Sequence, residues 1–186
     1  MDLVERLARA RIGGTYNQYA DSELRRARLR AHLAAQAGAR VVLVGEAAGY
    51  RGARVSGVPF TSERQLTGSG PAEATATVVH RVLRELGVED DVMLWNVVPT
   101  HPGTAGSNRR PTRAEVAEAR PFLDELVRGR RAVAVGRLAA EVLGAPYVRH
   151  PSHGGATAFA EGLFATIRPR RATVRRPYED LQRQAG

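Results

Sequence analysis

Four short apolar runs constrain this chain more than any other feature: "VVLVG" from Val41, "DVMLW" from Asp91, "RAVAVG" from Arg131 and "PYVRH" from Pro146. All are short, and the first is apolar and β-branched, without the alternation of a half-exposed strand. That is the pattern of strands buried on both faces of a parallel sheet. Segments of helical composition lie between them. Strands separated by helices imply βαβ units with right-handed crossovers. The expected fold class is therefore α/β, a three-layer α/β/α sandwich around a central, mostly parallel four-stranded sheet. A chain of 186 residues suits one domain with a sizeable core. The expected division is a single domain over residues 1–169 and a basic tail over 170–186.

Local signals place the remaining elements. Ser22 to Gln36 reads as a helix rich in Leu, Ala and Arg, and Arg40 to Val44 as the first strand. Gly45 to Gly70 reads as a long glycine-rich loop. Pro71 suits the first residue of a helix that runs to about Leu86, where Gly87 stops it. Asp91 to Trp95 is the second strand, and Asn96 to Pro111 another long loop. Thr112 opens a helix that ends near Val127, with Glu115 completing a capping box. Arg131 to Gly136 is the third strand, Arg137 to Leu143 a short helix, and Ala156 to Ile167 a final helix. The last strand ends near Arg149. In open α/β sheets ligands bind beyond the carboxyl ends of the strands. Three loops leave those ends here, from Gly45, Asn96 and His150, and long connections in a compact domain are usually functional.

Charge narrows the partner. The formal net charge is +9 with a pI near 11.1, and all 28 basic residues are arginine. Such a surplus favours a polyanion, and the guanidinium fork suits phosphate better than an ammonium does. The chain has no cysteine, which excludes disulfides, thiolate zinc sites and iron–sulfur clusters. The five histidines are not at ligand spacing with carboxylates, so no metal or other cofactor is expected. The first residues are too charged for a signal peptide, and no apolar run approaches a membrane span, so a cytoplasmic, nucleoid-associated monomer is expected. An unrelated nucleotide-binding α/β protein would need a glycine-rich phosphate loop, and neither common form occurs.

Four blocks, in order, carry a specific resemblance. "VVLVGEAAGYRGARVSGVPFTSERQL", "LWNVVPTHPGTAGSNRRPTRAEVAEARPFL", "AVAVGRLAAEVLG" and "RHPSHGG" together resemble the uracil-DNA glycosylase superfamily. The nearest pattern is its bacterial and archaeal Gly-Glu-x-Pro-Gly branch (family 4-like). The likeness spans roughly Arg40 to Ile167. The chain departs from the branch at Ala48, where the loop has proline, and at Thr100 and Ala119, where two cluster cysteines would fall. "HGG" stands where other members carry an apolar wedge after the His-Pro-Ser.

What the resemblance implies is a monofunctional DNA glycosylase that flips a uracil, or a related deaminated base, out of DNA and hydrolyses its N-glycosidic bond. The alternative is a weak or inactive member that binds damaged DNA. Glu46 and His150 are the implied catalytic pair. His150 would donate a hydrogen bond to the leaving base, and Glu46 would place or activate water; otherwise His150 merely caps a strand and Glu46 shapes its loop. Asn96 would read the uracil edge, or else is an ordinary loop residue after a strand. Phe60 would stack on the base or belong to the core. Gly45, Ala47 and Gly49 would border the substrate. Ala47 stands where some members have aspartate, and Gly49 where some have a bulky tyrosine, which suggests a roomier pocket. Arg109, Arg110, Ser152 and His153 would meet DNA, or in the case of the arginines simply be solvated. The segment "TYNQYAD", Thr15 to Asp21, is expected to pack over the site.

Overall fold

Strand β1, Val41–Ala47, runs through the centre of a parallel sheet, because it is the strand that both neighbours must find. The computed structural model describes residues 1–167. Strand β2, Val92–Val98, lies on one side of β1 and β5, Arg131–Val135, on the other; β6, Tyr147–Val148, forms the outer edge. All these pairings are parallel, with Gly45 opposite Asn96 and Val42 opposite Ala132. The expected basic tail, 170–186, lies outside the described residues.

Side chains alternate between two apolar layers, as strands buried on both faces require. Val42, Val44, Met93, Trp95 and Ala134 pack on one side against Leu7, Leu29 and Leu123. Those partners come from α1 (Leu3–Arg9), α2 (Glu23–Ala35) and α6 (Arg113–Val127). Leu43, Leu94, Val133 and Val135 pack on the other side against Val79, Leu83, Phe159 and Leu163. Those belong to α5 (Ala74–Glu85) and α8 (Ala156–Thr166). A further short helix, α7 (Arg137–Leu143), follows β5. The three-layer sandwich is thus the arrangement the sequence predicts.

The differences lie at the strand ends. The expected loop from Gly45 to Gly70 is partly regular: β1 continues to Ala47, and two short helices follow, α3 (Ala53–Ser56) and α4 (Glu63–Thr67). They are too short to carry a 3.6-residue pattern and are held by side chains. Ser56 Oγ donates to the Thr61 carbonyl at 2.6 Å, Gln65 Oε1 accepts from the Ser62 amide at 2.8 Å, and Arg28 grips Glu63. Helix α5 begins at Ala74 rather than Pro71, because the chain stays extended through Glu73. The loop expected after Trp95 is shortened in the same way. Strand β2 runs on to Val98, and a small hairpin follows, β3 (Gly103–Thr104) with β4 (Ser107–Asn108).

The N-terminal helix α1 has no counterpart in the sequence reading. Asp2 caps it by accepting from the Glu5 amide at 2.7 Å, and Val4 and Leu7 seal one edge of the core. The segment after it was expected over the site. Instead it stays out of the cavity lining and braces the loops: Gln18 Nε2 donates to the Pro99 carbonyl at 2.9 Å and Tyr19 Oη to the Gly57 carbonyl at 3.0 Å.

Helix α6 opens with the predicted capping box, Thr112 Oγ1 accepting from the Glu115 amide at 3.2 Å. Glu115 is buried and also takes a two-pronged contact from Arg109, at 2.8 and 2.5 Å. The guanidinium, helped by the cap amide, holds the carboxyl down at about 2. Since the folded chain binds this proton more weakly than the unfolded one, the pair stabilises fully above the ordinary glutamate value of 4.5. That contribution fades as pH falls from there towards about 2. Urea unfolding against pH should show an acid loss in the wild type that Glu115→Gln lacks. The variant should be less stable at pH 7 by roughly 1–3 kcal/mol, since Arg109 is partly exposed and screened.

Candidate active site

Every parallel strand delivers its carboxyl end to the same side of the sheet, and a cavity of about 290 Å³ opens there. Glu46 reaches it from β1, Asn96 from β2 and His150 from the turn after β6, while Phe60 comes from the loop between α3 and α4. Ala47, Gly49, Arg109 and Ser152 also border it. Of the sequence-derived residues, the structure brings these eight to one cavity. Gly45, Arg110 and His153 stand outside its lining.

Gly45 acts from beneath. A methyl group on it would lie 2.4 Å from Phe60 Cζ and 2.8 Å from Asn96 Oδ1, so the ring and the amide meet only because this residue has no side chain. Phe60 is itself held at φ +53°, a left-handed backbone that costs a bulky residue energy. Its ring serves both readings: it packs with Leu43 and Val79 in the core, and it also lines the cavity.

Three of the polar groups picked out by sequence face the cavity with open hydrogen-bonding capacity. The Asn96 amide is almost fully buried and has no side-chain partner among the described residues, which leaves a donor and an acceptor free. Glu46 likewise pairs with nothing there. Burial pushes its carboxyl upward, with Arg110 opposing and Glu141 adding to the rise. His150 is fixed by its own loop. The Ser152 amide donates to Nδ1 at 3.2 Å, so the neutral ring carries its proton on Nε2. Burial, reinforced by His153, lowers the ring's pKa and favours that neutral form.

The rim residues are mostly engaged. Arg109 grips Glu115, and Arg110 meets Glu141 at 3.2 Å on the open surface. Ser152 Oγ contacts both histidine rings, at 2.8 Å for His150 and 3.1 Å for His153. His153 is exposed and adopts φ +50°.

Three contributors escaped sequence reasoning. Glu73 sits against the cavity wall, its Oε1 lying 2.0 Å from where a methyl on Gly49 would be. The room expected at Gly49 is thus filled by a carboxylate. Asn108 accepts from the Tyr50 amide at 2.9 Å and ties the glycine loop to the hairpin. His101, fully buried, places both ring nitrogens 2.7 Å from carbonyl oxygens, those of Ala48 and Thr104. Its backbone also bridges to Tyr16. Glu73 was concealed by its place in an expected first helical turn, where an acid is unremarkable. His101 was set aside for want of metal-ligand spacing.

A family model described as the uracil DNA glycosylase superfamily matches residues 33–183. The fold is similar to the crystal structure of wild-type Pedobacter heparinus SMUG2, with a TM-score of 0.66 over 88% of this chain and 94% of that one. At 12% identity that likeness is one of fold. No curated protein matches the chain.

The contact at Gly45 can be tested without any assay of activity. Gly45→Ala must push the Phe60 ring or the Asn96 amide aside, and overpacking of this kind costs about 1–3 kcal/mol. Urea denaturation should read that loss. Stability equal to wild type would mean that the ring yields freely and that the glycine is not a packing requirement.

Proposed function

The chain belongs to the uracil-DNA glycosylase superfamily, and on that premise we propose that it is a monofunctional DNA glycosylase acting on a flipped-out uracil or a related deaminated base, in base excision repair. Members of the superfamily are DNA glycosylases. The observation that carries the reading is that Glu46, Phe60, Asn96 and His150 share one cavity, and that the amide, the carboxylate and His150 Nε2 have no hydrogen-bond partner among the described residues. A preformed pocket of unfilled donors and acceptors is suited to a polar planar ligand. Within the superfamily we place the chain near the Gly-Glu-x-Pro-Gly branch, on Gly45-Glu46 and Gly57-Val58-Pro59-Phe60, but without that branch's cluster cysteines.

The mechanism follows from where charge develops. Extrusion brings the base out of the stack, and the Phe60 ring receives it. The Asn96 amide pairs with the N3–H and O4 edge, whose pattern cytosine reverses, so cytosine would leave buried polar groups unmatched. As the N1–C1′ bond breaks, its electron pair passes into the base and charge gathers on O2. The Nε2–H of His150 donates to that oxygen, and it can do so because Ser152 fixes the tautomer. The sugar becomes oxocarbenium-like, as in other glycoside cleavages. Water attacks C1′ and yields a proton to Glu46, whose raised basicity favours that transfer. With no lysine in the chain, no lysine Schiff base forms with the abasic sugar, and the reaction ends at hydrolysis.

A second reading has one observation in its favour. Ala47 lines the cavity at a position where some members have aspartate, so Glu46 stands as the only acid on this stretch of loop. The chain would then bind damaged DNA and cleave it slowly or not at all.

Single- and double-stranded oligonucleotides bearing uracil separate the two. For a glycosylase, wild type releases uracil, and Glu46→Gln or His150→Ala lowers the rate on the order of a hundredfold each. Tight binding without release, unaltered by either substitution, supports the second reading. Activity should also fall on the acid side. Glu46 must be ionised and His150 neutral, and burial moves the first up from 4.5 and the second down from 6.5. The acid limb of kcat/KM should therefore lie above the ordinary glutamate value of 4.5.

A further inference from the structure

The carbonyl of Pro59, just before the strained Phe60, is buried, and its donor among the described residues is the Thr61 hydroxyl at 3.0 Å. That hydroxyl belongs to a residue only 4% exposed and meets one further group, Nε2 of His80 in α5, at 3.1 Å. The other ring nitrogen, Nδ1, lies 2.8 Å from Glu89 Oε1 in the single turn before β2, Glu89–Asp91. Thr61 has one hydroxyl proton and gives it to Pro59, so Nε2 must donate to Oγ1. Glu89 holds the ring by its far side and aims Nε2 at Thr61. The series runs from a part-exposed carboxylate to the peptide bond that leads into Phe60.

A hydroxyl, an imidazole and a carboxylate in this order are also the parts of a hydrolytic triad. Here the hydroxyl is buried and its proton is committed to a carbonyl, so the series is a brace. It stands apart from the candidate active site. Thr61, His80 and Glu89 border a separate groove of about 330 Å³ that shares no residue with the cavity lining. Their route to the cavity is the chain itself. Thr61 follows Phe60, and Val79, next to His80, lies in the same apolar cluster as the Phe60 ring. Helix α5 thus holds the ring by packing and the backbone beside it by hydrogen bonding. A phenylalanine at φ +53° persists only where surrounding contacts fix it. A buried carbonyl that lost its donor would work against that conformation.

We propose that His80 is a positioning residue for the stacking ring: through the Thr61 hydroxyl it fixes the Pro59–Phe60 peptide, and with it the place of the Phe60 ring in the cavity wall. This deepens the glycosylase reading and rests on it for what the ring meets, an extruded base.

The test is a double-substitution cycle. Thr61→Val, Thr61→Ser, His80→Leu and Glu89→Ala are made in the wild type and in Phe60→Leu, which keeps an apolar side chain without the ring. Uracil release is measured for each, with melting temperature followed in parallel. In the wild-type background Thr61→Val and His80→Leu should lower kcat/KM about 10-fold, and Glu89→Ala about threefold. Thr61→Ser keeps the hydroxyl and should restore the rate to within about twofold of wild type. In Phe60→Leu the same substitutions should change the rate by less than about twofold, because a residue that acts through the ring then has nothing to place. Full activity in both Thr61→Val and His80→Leu overturns the proposal. So does a loss of the same size in Phe60→Leu, the mark of a general structural role. Should either buried variant fail to fold, Glu89→Ala decides by the same two outcomes. If wild type releases no base, the glycosylase reading fails on its own. The cycle is then read as affinity for uracil-bearing over undamaged oligonucleotide. A Thr61→Val protein that keeps the full preference overturns the proposal, as does a wild type with no preference to lose.

Discussion

A fully buried imidazole holds together three pieces of chain that secondary structure leaves apart. His101 meets the Ala48 carbonyl at the end of β1 and the Thr104 carbonyl in the hairpin, and its backbone pairs with Tyr16. Buried carbonyls need donors, and loops beyond the last ladder bond of a parallel sheet do not supply them. The side chain does the work of a missing strand. Around it, Thr15 and Thr100 hydroxyls meet at 2.6 Å, Gln18 reaches Pro99, and Asn108 reaches Tyr50. Thr100 joins this polar mesh while Ala119 packs in the core. The loops are fixed by hydrogen bonds contributed largely from the N-terminal segment.

Rigid loops allow polar groups in the cavity to remain unpaired. Glu46, Glu73 and Asn96 would each find a partner if the backbone could relax towards them. The strand ends, the strained Phe60 backbone and the glycine contacts prevent it. Both acids have their pKa raised chiefly by burial, while the exposed surface has a large excess of arginine. Positive charge outside and uncompensated polarity inside is an arrangement suited to drawing in a polyanion and then reading one neutral planar group detached from it. Arg109 belongs to the scaffold in this picture, since its guanidinium is committed to Glu115.

Much of this was readable from residues, and the reasons are physical. Strands buried on both faces announce themselves by unbroken apolar runs, so β1, β2 and β5 and the sheet's parallel sense were legible. The capping box at Thr112 and Glu115 fixed the start of α6 because local hydrogen bonds specify it. Glu46, Phe60, Asn96 and His150 were legible through motifs near strand ends. What escaped depends on tertiary contact. Helix α1 is short and charged, and it depends on burial of Val4 and Leu7 against the rest of the fold. Helices α3 and α4 are single turns without a period. Glu73 and His101 carry no local signal, since each acquires its role only when distant backbone folds against it.

The order of strands in the sheet has a consequence for the chain as it is made. The central strand β1 is complete by residue 47, yet its neighbours arrive only with residues 92–98 and 131–135. Helices α1 and α2 leave the ribosome with apolar faces that have no sheet to rest on. Synthesis must pass Arg131–Val135 before β1 gains both flanks, and nascent chains of intermediate length carry an unpaired strand edge. Such intermediates are the natural clients of a chaperone at the exit tunnel, and a translational pause before Arg131 would lengthen their exposure.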